Sequence, residues 1–164
     1  MTRCSKMFLR TALLVVALAC TVVVGSLAAQ GGAAVAIVVH PATDVDNLTF
    51  DELRSIFRAE RQFWDDGRRV TLLMRAPVAA ERVLILDRIY EMDEKEFLEF
   101  WIGKMFRAEV AAGPKLVYSS DMARDLVTVI PGAITFVPLA DVSSDSRVVR
   151  IDGLLPSDPA YALR

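Results

Sequence analysis

Three side chains carry the chemistry of an oxyanion site: the guanidinium of Arg75, the hydroxyl of Thr43 and the imidazole of His40. A guanidinium presents paired donors in a plane, and a hydroxyl or an imidazole N–H adds single donors beside it. The competing arrangement for Arg75 is a surface ion pair with Glu81 or Asp65, a common and weakly stabilising contact. His40 is the only histidine, and both cysteines, Cys4 and Cys20, fall at the extreme N-terminus. A zinc site lacks the ligands it needs, so His40 reads as a polar loop residue.

The remaining chemically suggestive residues have simpler uses. Ser119-Ser120-Asp121 has no G-x-S-x-G frame around it, and Ser120 suits the cap of a following helix. Glu94, Glu96 and Glu99 fit a helix start and its outer face better than a hydrolytic carboxylate pair. Trp64 and Trp101 read as packing residues. No constellation of nucleophile, base and oxyanion donors assembles, so the sequence predicts a non-enzymatic protein with no cofactor and no metal.

The elements that must position these residues begin after a leader. Arg3, Lys6 and Arg10 precede the almost wholly apolar run Thr11–Val24, and Ser26-Leu27-Ala28 supplies small residues. This is the pattern of a secretory signal, with cleavage near Ala28 or Ala29, or later in Ala33–Ala36. The same run, Thr11–Ala29, also approaches the length of an uncleaved membrane anchor, and Ala17–Cys20 faintly resembles a lipoprotein box. All three readings export the chain, to the periplasm or to the outer side of the inner membrane, with residues 1–29 as leader or anchor and 34–164 as the domain. Membrane contact is expected only through the N-terminal segment.

Without the leader's three basic residues, 16 of the chain's 19 remain against 21 acids, a formal charge of −5. That balance argues against nucleic acid as a partner. It also gives no long-range attraction for an anion, so any anion site must be local. With its cysteines in the leader, the domain has no disulfide and no thiolate.

Along the domain, Ala34–Val39 reads as a buried strand ended by Pro41. Thr49 and Glu52 form a T-x-x-E capping box opening a helix with Leu53, Ile56 and Phe57 on its apolar face. Asp66-Gly67 turns the chain into the strand Val70–Arg75. Helices follow over about Ala79–Tyr90 and, behind the Asp93/Glu96 cap, over Glu94–Arg107, with Phe97, Phe100, Trp101 and Met105 on one side. A short strand at Lys115–Tyr118, a helix to about Val129, and strands at Ala133–Val137 and Arg147–Ile151 complete the pattern. Alternating strands and helices predict one α/β domain with a central mixed sheet flanked by helices.

The ordered segments resemble the second lobe of periplasmic phosphate-binding proteins, the substrate-binding proteins of phosphate ABC transporters. Leu48, Thr49, Glu52, Leu53, Ile56, Phe57, Trp64 and Asp66 fit that family's L-T-x-x-E-L-x-x-I-F-x-G-x-x-x-x-W-x-D, with Ala59 where glycine is usual. Pro131–Val137 is similar to its P-G-A-I-G-Y-V strand, and Ile151–Gly153 with Asp158–Tyr161 to the segment leading back toward the first lobe. The resemblance covers about Ile37–Arg164. It implies a single lobe of the type II periplasmic-binding-protein fold, phosphate or another small oxyanion as ligand, and an ABC permease as partner.

Two departures change the functional expectation. One lobe supplies half of a site that normally closes from both sides. The family's ligand loop, R-x-D-G-S-G-T, here reads Arg75-Ala76-Pro77-Val78-Ala79-Ala80-Glu81, with no hydroxyl between Arg75 and Arg82. Pro77 removes a backbone donor, and Glu81 repels an anion from the helix start. A phosphate buried without its donors would meet a desolvation cost that Arg75 alone does not offset. The expectation is therefore a solute-binding-like domain with a degenerate anion site. The alternatives are an interaction module that has lost its ligand, and a lobe completed by a partner chain.

Overall fold

Val35–Val39 (β1) is apolar at every position and buried at every position, as a strand covered on both faces must be. The computed structural model describes residues 34–164; the leader or anchor expected at residues 1–29 lies outside them. Five further strands complete one sheet: Asn47–Leu48 (β2), Thr71–Arg75 (β3), Lys115–Val117 (β4), Ala133–Pro138 (β5) and Arg147–Ile151 (β6). Their order is β2-β6-β1-β5-β3-β4. β1 runs antiparallel to both β5 and β6, while β3 is parallel to β4 and β5, and β2 is parallel to β6. The mixed central sheet expected from the sequence is the one observed.

Side-chain alternation divides the interior into two cores. Val35, Ile37 and Val39 of β1, Leu72 and Met74 of β3, and Ile134 and Phe136 of β5 face the larger one. Val38, Leu73, Ala133 and Val137 face the smaller one. The helices cover these faces. Phe50–Phe57 (α1) contributes Leu53, Ile56 and Phe57 to the larger core, and its capping box forms as read: Thr49 Oγ1 accepts from Glu52 N while Glu52 accepts from Thr49 N. The Glu52 carboxyl is held below its ordinary range chiefly by that backbone N–H. Ser120–Val129 (α4) covers the smaller core with Ala123 and Val127.

Several boundaries differ from the sequence reading. The helix expected over Ala79–Tyr90 is α-helical only at Ala80–Ile85 (α2) and widens to a π-turn at Leu86–Tyr90. The extra residue per turn brings Leu86, Ile89 and Tyr90 all into the core. Tyr90 donates to Phe57 O at 2.6 Å, and burial pushes its hydroxyl pKa up. In Glu94–Phe106 (α3) the inward face is Phe97, Trp101 and Lys104, with Met105 outside. Lys104 takes that place because its ammonium sits over the Phe100 ring and donates to Glu109 at 3.0 Å. The α4 cap is Ser119 rather than Ser120, accepting from Met122 N.

The W-D-D-G loop is pinned from inside. Trp64 is buried, and its Nε1 donates to Gly132 O at 2.9 Å. Gly132 has φ +75°, and a Cβ there would lie 2.4 Å from Arg69 O. The Pro131-Gly132-Ala133 turn therefore requires glycine, both for its left-handed backbone and for the close approach of the Trp64–Arg69 loop.

Candidate functional site

Arg75 is the last residue of β3, at the carboxyl end of the parallel set β3, β4 and β5. In open α/β sheets this edge is where ligands are held. Arg75 pairs in register with Val117, and Ala76 N donates to Val117 O, so the start of α4 lies beside it. From the other side α2 begins five residues beyond Arg75, and this short connection brings Glu81 back over it.

Arg75 Nε meets Glu81 Oε1 at 2.5 Å, and each side chain is only 9% exposed. The sequence named Glu81 as a partner but placed the pair on the surface; it is instead enclosed. Asp65 belongs elsewhere, bonded to Arg61 at 2.7 Å. A second arginine, passed over in the sequence, builds the back of the site. Arg82 donates through Nη1 to Arg75 O at 2.6 Å and through Nε and Nη2 to the two oxygens of Glu94, at 2.6 and 2.8 Å. Its guanidinium also lies 4.8 Å from the centre of the Phe97 ring. The signal for this contact was weak, since Arg82 and Glu94 are twelve residues apart on different helices.

Two buried arginines are thus matched by two glutamates, and no net positive charge is left for an anion. Arg75 Nη1 remains buried without a protein partner. It is the buried donor that the cluster leaves open. Val78 and Tyr118 stand exposed on either side of this end of the sheet, giving the rim an apolar character.

His40 and Thr43 do not join Arg75. His40 N donates to Ala133 O, at the start of β5, and Thr71 at the start of β3 pairs with Ala133. Both residues therefore sit at the opposite end of the sheet, about 13 Å away along β3 at roughly 3.3 Å per residue. The antiparallel placement of β1 carries its C-terminal loop away from the end of β3. His40 Nδ1 accepts from Ala42 N at 3.1 Å, and Thr43 is buried in the same turn. Glu96 accepts from the Asp93 backbone within a capping box, as read from the sequence. Glu94, in the same first turn, instead holds Arg82.

A cleft of about 250 Å³ also opens at the far end, between Arg69–Leu72 and Val110–Lys115, with Arg61, Arg69 and Lys115 among its lining residues. Among the described residues no group of three or more His, Cys, Asp or Glu side chains is placed to hold a metal. No described helix is long and apolar enough to cross a membrane.

No protein-family profile and no curated protein matches the chain. Solved structures do. An ABC-type phosphate transport receptor from Vibrio cholerae superposes with a TM-score of 0.62 at 20% identity, covering 76% of this chain and 48% of the receptor. PstS from Borrelia burgdorferi gives 0.62 at 14% identity, covering 79% and 53%. A phosphate ABC transporter substrate-binding protein from Clostridium perfringens, solved with bound phosphate, gives 0.60 at 15% identity, covering 74% and 46%. The chain spans about half the length of the structures it matches. At these identities the likeness establishes the fold: residues 34–164 form an α/β unit built like one half of a phosphate-binding receptor.

Proposed function

We propose that this chain is an exported, non-enzymatic, solute-binding-like domain whose anion position is occupied by its own Glu81 carboxylate. The observation that carries the proposal is the enclosed Arg75–Glu81 pair at the carboxyl ends of β3, β4 and β5. A carboxylate bonded to that guanidinium supplies the charge and acceptor oxygen that an oxyanion would supply. Any incoming anion must therefore displace a covalently tethered competitor. The fold it shares with phosphate-binding receptors supports phosphate, or another small oxyanion, as the ligand class the site is derived from. Export rests on the N-terminal leader pattern, and an ABC permease as partner on the same likeness.

Calorimetric titration of the full chain with phosphate tests this. The wild type is expected to give no binding heat up to millimolar phosphate. Glu81→Gln, which frees the guanidinium without removing a hydrogen-bonding side chain, is expected to gain saturable binding, lost again when Arg75→Met is added. Wild-type binding at micromolar phosphate that Arg75→Ala abolishes would overturn the proposal.

A second reading, a lobe completed by a partner chain, is favoured by exposed Val78 and Tyr118 flanking Arg75. It predicts phosphate binding by the wild type only when a first-lobe polypeptide of a phosphate receptor is mixed with it.

A further inference from the structure

We infer that the cleft at the amino ends of β3 and β4 is a second binding site, shaped for a small organic anion with an apolar body. Thr71 opens β3, Lys115 opens β4, and both line the cleft. Arg75 closes β3 at the other end, so the cleft is separate from the enclosed Arg75–Glu81 pair. Ile56 of α1, Leu72 of β3, Trp101 of α3 and Val110 bring apolar side chains of the larger core to its wall. A volume of about 250 Å³ lies just below the usual range for small-molecule sites, about 300–1,000 Å³, so the occupant is small.

Charge sets the sign of that occupant. The lining residues include Arg61, Arg69 and Lys115 but no Asp or Glu. Arg61 is committed to Glu52 at 3.8 Å and to Asp65 at 2.7 Å. Arg69 and Lys115 are exposed and form no ion pair with the described residues; Arg69 Nη2 reaches Gln62 Oε1 at 3.4 Å. Gln62 also lines the cleft and is fixed by donating to Glu109 O at 3.0 Å. The Glu109 carboxylate is in turn held by Lys104 at 3.0 Å and Arg107 at 2.5 Å. Around the cleft five cations therefore stand against three carboxylates, a local positive excess in an acidic domain. Two exposed cations hold a bare ion weakly, since water screens them. An apolar body against the wall supplies the remaining affinity, and the charged end fixes its orientation.

Amide NMR spectra of the full chain titrated with phenylbutyrate test the site. Saturable shifts are expected at Val70, Ala111 and Gly113, with Val78 and Tyr118 at the Arg75 end unmoved. Phenylbutanol keeps the apolar body, loses the charge, and is expected to bind about tenfold more weakly. Arg69→Gln combined with Lys115→Gln, both on exposed side chains, should weaken phenylbutyrate by a similar factor. Inorganic phosphate alone should not move these signals. Glu81→Gln, which opens the Arg75 pair, should leave phenylbutyrate affinity unchanged, so each site stands or fails by its own variants. Equal binding of alcohol and acid, or an unchanged affinity in the double variant, would overturn the inference. So would saturable phosphate shifts at Gly113, or no shift there up to about 10 mM phenylbutyrate.

Discussion

Arg75 and Glu81 hold each other in a place where neither is stable alone. Removing one member of an enclosed ion pair leaves an uncompensated charge, which typically costs about 3–5 kcal/mol. Replacing both by apolar groups of similar size is far cheaper. Glu81→Ala is therefore expected to destabilise by about 3 kcal/mol in urea denaturation, and Arg75→Met with Glu81→Leu by less than that single change. A double variant destabilised as much as Glu81→Ala, or more, would mean that the two side chains are not energetically coupled. The identity of this pair was legible from the sequence because Glu81 lies six residues beyond the strand's end, in the first turn of the helix that follows. Its burial was not, because enclosure depends on Arg82 and Glu94, which come together only when α2 and α3 pack. The separation of His40 and Thr43 from Arg75 has a related reason. Proximity to Arg75 is a question of strand direction, and no residue type in β1 announces that it runs antiparallel to β5.

Helix ends repeat one unusual choice. After α1, Ala59 N donates to Ile56 O and Glu60 N to Ser55 O, and Ala59 has φ +53°. After α3, Ala108 N donates to Met105 O and Glu109 N to Lys104 O, and Ala108 has φ +56°. Both are Schellman motifs with alanine at the left-handed position where glycine is usual. At Ala59, where the motif it resembles has glycine, the backbone takes the left-handed turn that glycine suits. The left-handed conformation costs a residue with a Cβ about 1–2 kcal/mol, and glycine returns about 0.4–1 kcal/mol of that as unfolded-chain entropy. Ala59→Gly and Ala108→Gly are each expected to stabilise by about 0.5–1 kcal/mol. Their effects should add, since they lie on different helices without shared partners. A drop in the urea midpoint for either would contradict the cap assignment. Capping boxes were readable because they are local three-residue spacings. The π-turn at Leu86–Tyr90 and the two-residue β2 were not, since both are set by the elements they pack on.

At the scale of the whole domain, the two cores are parts of one unit because β1, β3 and β5 give alternate side chains to each. A defect on one face must then be felt on the other, and unfolding should be a single transition. The segment around Leu163 tests this from a remote point. Leu163 is fully buried in the larger core, Tyr161 beside it is nearly so, and Leu163 O accepts from Val35 N at 3.0 Å. This segment follows the last strand by about a dozen residues, and its burial was not readable from Tyr161-Ala162-Leu163, which has no helical or strand period. A tail merely laid over a finished core would tolerate truncation with little effect. A tail that completes the core would not: Leu163→Ala should cost about 2–5 kcal/mol through lost transfer energy and the cavity left behind. Trp64 and Trp101 lie in the larger core and report on it by fluorescence, whereas far-UV circular dichroism reports on both helix layers. The two signals should move together to lower urea in Leu163→Ala. A circular dichroism midpoint that stayed in place while fluorescence shifted would show that the sheet's two faces unfold separately.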